Sequence, residues 1–124
     1  MAKINEVIKQ FRDEVGGDLI QVSITGIDGM SIARESIITD QEMAEQMTGR
    51  ALMALNTAKR VTEKLKMGEY QETILTTDKA YIYAKFLGDG SYTLMVSVTR
   101  KATLGTIRML IEEYAPKIWD AIPR

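Results

Sequence analysis

The chain opens with apolar residues at helical spacing. Ile4, Val7, Ile8, Phe11 and Val15 share one face of residues 2 to 15, and Gly16-Gly17 supplies a C-terminal stop. Residues 19 to 25 alternate instead. Ile20, Val22 and Ile24 take one side of a predicted strand, and Gln21, Ser23 and Thr25 the other. Gly26-Ile27-Asp28-Gly29 reads as a turn, with Met30 to Glu35 pairing back as a hairpin strand. Ile37 and Ile38 are expected to return to the core.

Thr39-Asp40-Gln41-Glu42 has capping-box spacing, with the threonine hydroxyl as cap, and predicts a helix from about residue 41 to 66, ended by Met67-Gly68. At about 100° per residue, Met43, Met47, Ala51, Ala54, Ala58, Val61 and Leu65 form one stripe, expected to face the core. Leu52 and Met53 lie off it, with Gly49 and Asn56 on the same outer side. They are either ordinary surface residues or a close helix–helix contact with another subunit, which a glycine would permit.

Three strands follow, at residues 69 to 76, 80 to 87 and 91 to 98, joined by turns at Thr77-Asp78-Lys79 and Gly88-Asp89-Gly90. A last helix starts near Thr103 and carries Leu104, Ile107, Leu110, Ile111 and Tyr114 on one face. Pro116 is expected to kink it or begin a new turn before Trp119. The order α-β-β-α-β-β-β-α fits an α+β fold, a five-stranded antiparallel sheet with helices on both faces.

A length of 124 residues is that of one domain, taken as residues 1–124. Cysteine and histidine are absent. Their absence removes disulfides, thiolate metal sites, the commonest general base and the commonest transition-metal ligand. Sixteen basic residues against 17 acidic ones give a net charge of -1, without the basic excess of a nucleic-acid binder. The N-terminus has no apolar signal region, and the run Ala51 to Leu55 is far short of the about 20 residues that span a bilayer. The expectation is a cytoplasmic protein.

Candidate chemistry is sparse. No Lys-Ser/Thr follows Gly88-Asp89-Gly90, so that stretch is a turn and not a phosphate loop. Arg100 and Lys101 precede a helix and could hold an anion or a partner, but a capped helix with solvated charges is the favoured reading. Tyr81, Tyr83 and Tyr92 could stack bases, but the charge balance favours packing in the sheet. No residue is marked out as catalytic, cofactor-binding or metal-ligating, and the chain is read as a binding module rather than an enzyme.

Thr103-Leu104-Gly105-Thr106-Ile107-Arg108, the hairpin Val22 to Ala33 with Asp28-Gly29 at its turn, the alanine-rich second helix and Leu87-Gly88-Asp89-Gly90 together resemble the roadblock / dynein light chain 7 family, in its short bacterial and archaeal single-domain form. Thr103 stands where that family usually has asparagine; both residues can cap a helix. The resemblance covers nearly the whole chain. It implies a roadblock/profilin-like fold with Glu69 to Thr76 as an edge strand that pairs with its mate in a homodimer, the two second helices packing together. Mapped here, the implied dimer interface is Gly49, Leu52, Met53, Asn56, Tyr70, Glu72 and Ile74. The resemblance further implies a platform for a small Ras-like GTPase, which some bacterial members stimulate by reshaping its own catalytic loops. The contact would use Glu45, Gln46, Arg50, Lys59 and Arg60. Two other readings stay open: a small-molecule sensor holding its ligand between sheet and helix, and a scaffold subunit without a GTPase.

Overall fold

A computed structural model describes residues 2–124. Helix α1 (Ala2–Val15) passes through a short 3-10 turn into strand β1 (Leu19–Gly26), and β2 (Ser31–Ser36) completes the first hairpin. Helix α2 (Gln41–Leu65) crosses to β3 (Thr73–Thr76), β4 (Ala80–Leu87) and β5 (Tyr92–Thr99), and α3 (Leu104–Ala121) closes the chain. All the strand pairs are antiparallel, in the order β2-β1-β5-β4-β3. The expected α+β sheet between helical layers is therefore what the chain forms.

Register divides the sheet into two unlike faces. Val22 lies opposite Val96, Ile24 opposite Leu94 and Tyr83 opposite Val96. This face meets Ile4, Ile8 and Phe11 of α1 and Ile107, Ile111, Tyr114 and Ile118 of α3 in one apolar core. Phe11 stands edge-on to Tyr114 with centroids 5.4 Å apart. The opposite face carries Gln21, Ser23, Thr25, Thr93 and Ser97, all buried, and α2 lies across it on β4 and β5.

That polar face changes how α2 sits. Its buried residues are Ala44, Thr48 and Leu55, a stripe rotated from the expected one, whose members Met47, Ala51, Ala54 and Ala58 are half-buried and Met43, Val61 and Leu65 exposed. Hydrogen bonding is the cause. Gln21 Nε2 donates to Thr48 Oγ1 (3.2 Å), Ser36 Oγ donates to Gln21 Oε1 (2.8 Å), and Thr48 Oγ1 donates to the Ala44 carbonyl (3.1 Å). An Ala/Met stripe turned inward would leave the Gln21 amide buried and unpaired, at a cost of about 1–3 kcal/mol.

Other expectations need local correction. Asp40, not Thr39, caps α2, its carboxylate accepting from the Met43 amide (3.2 Å). A bulge between Leu19 and Gln21 keeps Leu19 opposite Val98 in the core and displaces Ile20, which is only half-buried. Ile37 stays exposed, because its amide is held by the Ile20 carbonyl at the end of the hairpin. Strand β3 starts at Thr73 rather than residue 69. A continued ladder would set Gln71 against Phe86, but Tyr70 takes that place, edge-on to the Phe86 ring at 5.9 Å. Helix α3 runs through Pro116 to Ala121; Pro116 lies on its exposed side, where the carbonyl it cannot bond meets water.

Thr48→Val should lower stability by about 1–2 kcal/mol in urea unfolding, since it strands Gln21. Thr57→Val, which removes an exposed hydroxyl bonded to the Met53 carbonyl, should stay within about 0.5 kcal/mol. Equal losses would refute the role given to the Gln21–Thr48 bond.

Candidate interaction surface

The flank of α2 next to its sheet-facing stripe is covered only in part, Met47 and Ala54 being half-buried there. At about 100° per residue, Met43, Met47, Ala54, Val61 and Leu65 fall within one narrow sector there. Met43 is 53%, Val61 49% and Leu65 61% exposed. Five apolar positions in line over most of the helix are a seam, not scattered surface residues. On the sheet, Leu75 lies opposite Ile82, two positions from Ala84 opposite Met95, so Leu75 projects on the side that carries α2. It too is exposed. Strand β3 pairs with β4 on one side and is the last strand of the sheet on the other.

The sequence-derived interface residues divide. Gly49, Met53 and Asn56 are exposed on the outward surface of α2, and Leu52 is half-buried. Tyr70, Glu72 and Ile74 have partners within the chain. The Tyr70 hydroxyl bonds Thr73, and Ile74 packs on the core. Glu72 binds Arg108 through two prongs, at 3.1 and 3.2 Å, and its side chain is only 18% exposed.

The five partner-binding candidates also separate. Glu45 pairs with Arg34 of β2. Lys59 sits 5.1 Å over the Phe86 ring, near Glu63. Gln46, Arg50 and Arg60 point outward and are exposed. Within the other basic stretch, Arg100 is used internally. It donates to the Thr77 carbonyl (2.6 Å) and stacks 4.8 Å over Tyr81. Thr103 is the N-cap residue of α3, yet its side chain makes no cap bond.

Sequence reasoning missed the anchoring cluster beneath β3. Arg108 of α3 holds Glu72, and Tyr83 lies buried behind them. Burial, then the Glu72 carboxylate, pushes the Tyr83 hydroxyl well above the ordinary tyrosine value. The spacing of 36 residues between Glu72 and Arg108 left no local signal. Trp119 also has a place: Gly88, at φ +53, leaves room for its ring, which a Cβ would approach to 2.1 Å. Tyr92 meets Trp119 edge-on and Arg124 covers it at 4.0 Å. Gly88-Asp89-Gly90 is thus a turn that seats the C-terminal helix, and Asp89 is held below the usual carboxylate range by its bonds to Ser91.

Under the first half of α2 the space where a sensor would hold its ligand is filled by Ala44, Thr48, Leu55, Gln21 and Ser23, while an open cavity of about 360 Å³ lies at its C-terminal end, lined by Lys59, Glu63, Tyr70 and Phe86. An open surface cavity of about 530 Å³ lies elsewhere, at the hairpin tip around Ile27, Met30, Ile32 and Tyr92. Among the described residues, no group of three or more carboxylates is placed to hold a metal.

No family model and no curated protein matches this sequence. Solved structures match its fold. Over 97% of its length the chain is similar to MglB of Myxococcus xanthus, with a TM-score of 0.84, 14% identity and 94% of that chain covered. A roadblock/LC7 domain from Streptomyces avermitilis matches at a TM-score of 0.80 and 13% identity over 92% of both chains. An MglB described as having a tetrameric arrangement matches at 0.83 and 13% identity, over 97% of this chain and 88% of that one. The chain therefore has the roadblock/LC7 fold.

Tyr83 gives a pH prediction. Its neutral form is favoured in the folded state, so this contribution is complete below the unfolded tyrosine value of 10.0 and is lost as pH rises above it. Urea midpoints should fall above pH 10, and Tyr83→Phe should flatten that fall. An unchanged slope in the variant would rule out Tyr83 as its source.

Proposed function

We propose that this chain is a non-catalytic homodimeric platform that binds and regulates a small Ras-like GTPase. The observation that carries the reading is the exposed apolar flank of α2, at Met43, Val61 and Leu65, on the sheet face to which the exposed Leu75 of the edge strand β3 also projects. In a two-fold dimer the same surface meets itself, so each contact is made twice. Met43, Met47, Ala54, Val61 and Leu65 form the helical seam, and β3 pairs with its mate while Arg108 steadies the approach through Glu72. Tyr70, Glu72 and Ile74 position that edge. In this reading Gly49, Leu52, Met53 and Asn56, which the family resemblance implied for the dimer interface, instead border the outer surface offered to a third protein, together with Gln46, Arg50 and Arg60. Glu45 and Lys59 flank it.

The roadblock/LC7 fold and the family resemblance of Thr103 to Arg108 support the GTPase as partner. A bound GTPase would supply the catalytic groups, and this chain the surface. The location that fits such a partner is the cytoplasm; no helix of the described residues is long and apolar enough to cross a membrane. A scaffold without a GTPase would use the same surface and differ only in its partner. The packing of Ala44, Thr48 and Leu55 on the sheet leaves no enclosed ligand space under that half of α2, which disfavours the sensor reading.

Light scattering over a dilution series should give about twice 13.9 kDa for the wild type and a falling mass for Val61→Glu, with circular dichroism unchanged. A wild type that stays monomeric at high concentration would end the dimer model. With purified small GTPases from the source organism, loaded with a GTP analogue, at least one should bind the wild type. The double charge reversal Arg50→Glu/Arg60→Glu should weaken that binding by about tenfold or more. Unchanged affinity would remove the outer surface of α2 as the contact.

A further inference from the structure

Helix α2 has 25 residues, yet its buried side chains are Ala44, Thr48 and Leu55. None of the three belongs to the apolar core that α1, α3 and the other sheet face build. Beneath α2 lie Gln21, Ser23, Thr25, Thr93 and Ser97, side chains that water can satisfy once the helix lifts, with Met95 and Ala84 as the buried apolar residues among them. Other ties are polar and near the surface: the Arg34–Glu45 pair and Lys59 over Phe86. Both connections, 37–40 and 66–72, lack regular structure. The second begins with the left-handed residues Lys66 (φ 52) and Gly68 (φ 100). The core on the opposite face needs nothing from α2 to stay closed.

We propose that α2 is a strap that opens from the sheet as one unit while β1, β5, α1 and α3 keep their packing. Opening of this kind occurs where few buried apolar contacts hold an element, and it proceeds at a lower free energy than global unfolding. The device belongs to the protomer and does not rest on the dimer. A partner that binds only the closed form would hold the strap shut, by selecting that form.

The test is amide hydrogen exchange on the full chain, across urea concentrations below the global transition. Made in Val61→Glu, whose outer flank cannot pair, it reads the protomer alone, so a failure here leaves the dimer question untouched. Amides across the middle of α2 should exchange about tenfold or more faster than those of β1 and β5, with one shared and shallow urea dependence. Adding Ile111→Val, a conservative change in the α1/α3 core, should speed β1 and β5 by about 2–10-fold and leave α2 unchanged. Amides of α2 that share the rate and urea slope of β5, or accelerate with β5 in the Ile111→Val variant, would overturn the proposal. So would a gradient of rates along α2 in place of one common rate.

Discussion

The central strand pair β1–β5 presents Val22, Ile24, Leu94, Val96 and Val98 to one side and Gln21, Ser23, Thr25, Thr93 and Ser97, with Met95 among them, to the other. Every later feature depends on that asymmetry. The apolar side recruits two helices into a dry core, where each fully buried aliphatic side chain contributes about 1.5–3 kcal/mol. The polar side demands hydrogen-bond partners, and Thr48 of α2 supplies them. One sheet is thus joined to its helices by different physics on its two faces.

The rotation of α2 about its axis follows from this. Seating Thr48 over Gln21 turns the apolar seam of Met43, Val61 and Leu65 outward, where an ordinary amphipathic helix would carry charge. The exposed Leu75 of β3, an edge strand of four residues, projects on the sheet face that carries α2. An uncovered edge is a pairing template, and an apolar seam on the same sheet face favours a definite partner over random association. Arg108 of α3, on the far side of the sheet, holds Glu72 immediately before β3 begins, so α3 tethers the approach to that edge.

Much of the architecture was legible because it rests on short-range periodicity. The α1 stripe, the alternation of β1, the hairpin turns and the start of α3 all come from residues a few positions apart. The errors arose where a distant group decided the outcome. The stripe from Met43 to Leu65 was expected to face the core, but Gln21, far away in sequence, lay beneath the helix and drew Thr48 inward instead. Residues 69–72 read as strand until Tyr70 met Phe86. Ile20 satisfied the alternation but lost its place to a bulge that follows from pairing with β5.

The sequence by itself determined the order of elements, the two-sided sheet and the absence of histidine and cysteine chemistry. These are properties of composition and of a period of two or 3.6, which each segment carries alone. Only the tertiary structure decided which face of α2 is covered and which is offered. A helix with apolar residues on more than one side has no preferred face until the surface opposite is known, and here that surface is polar.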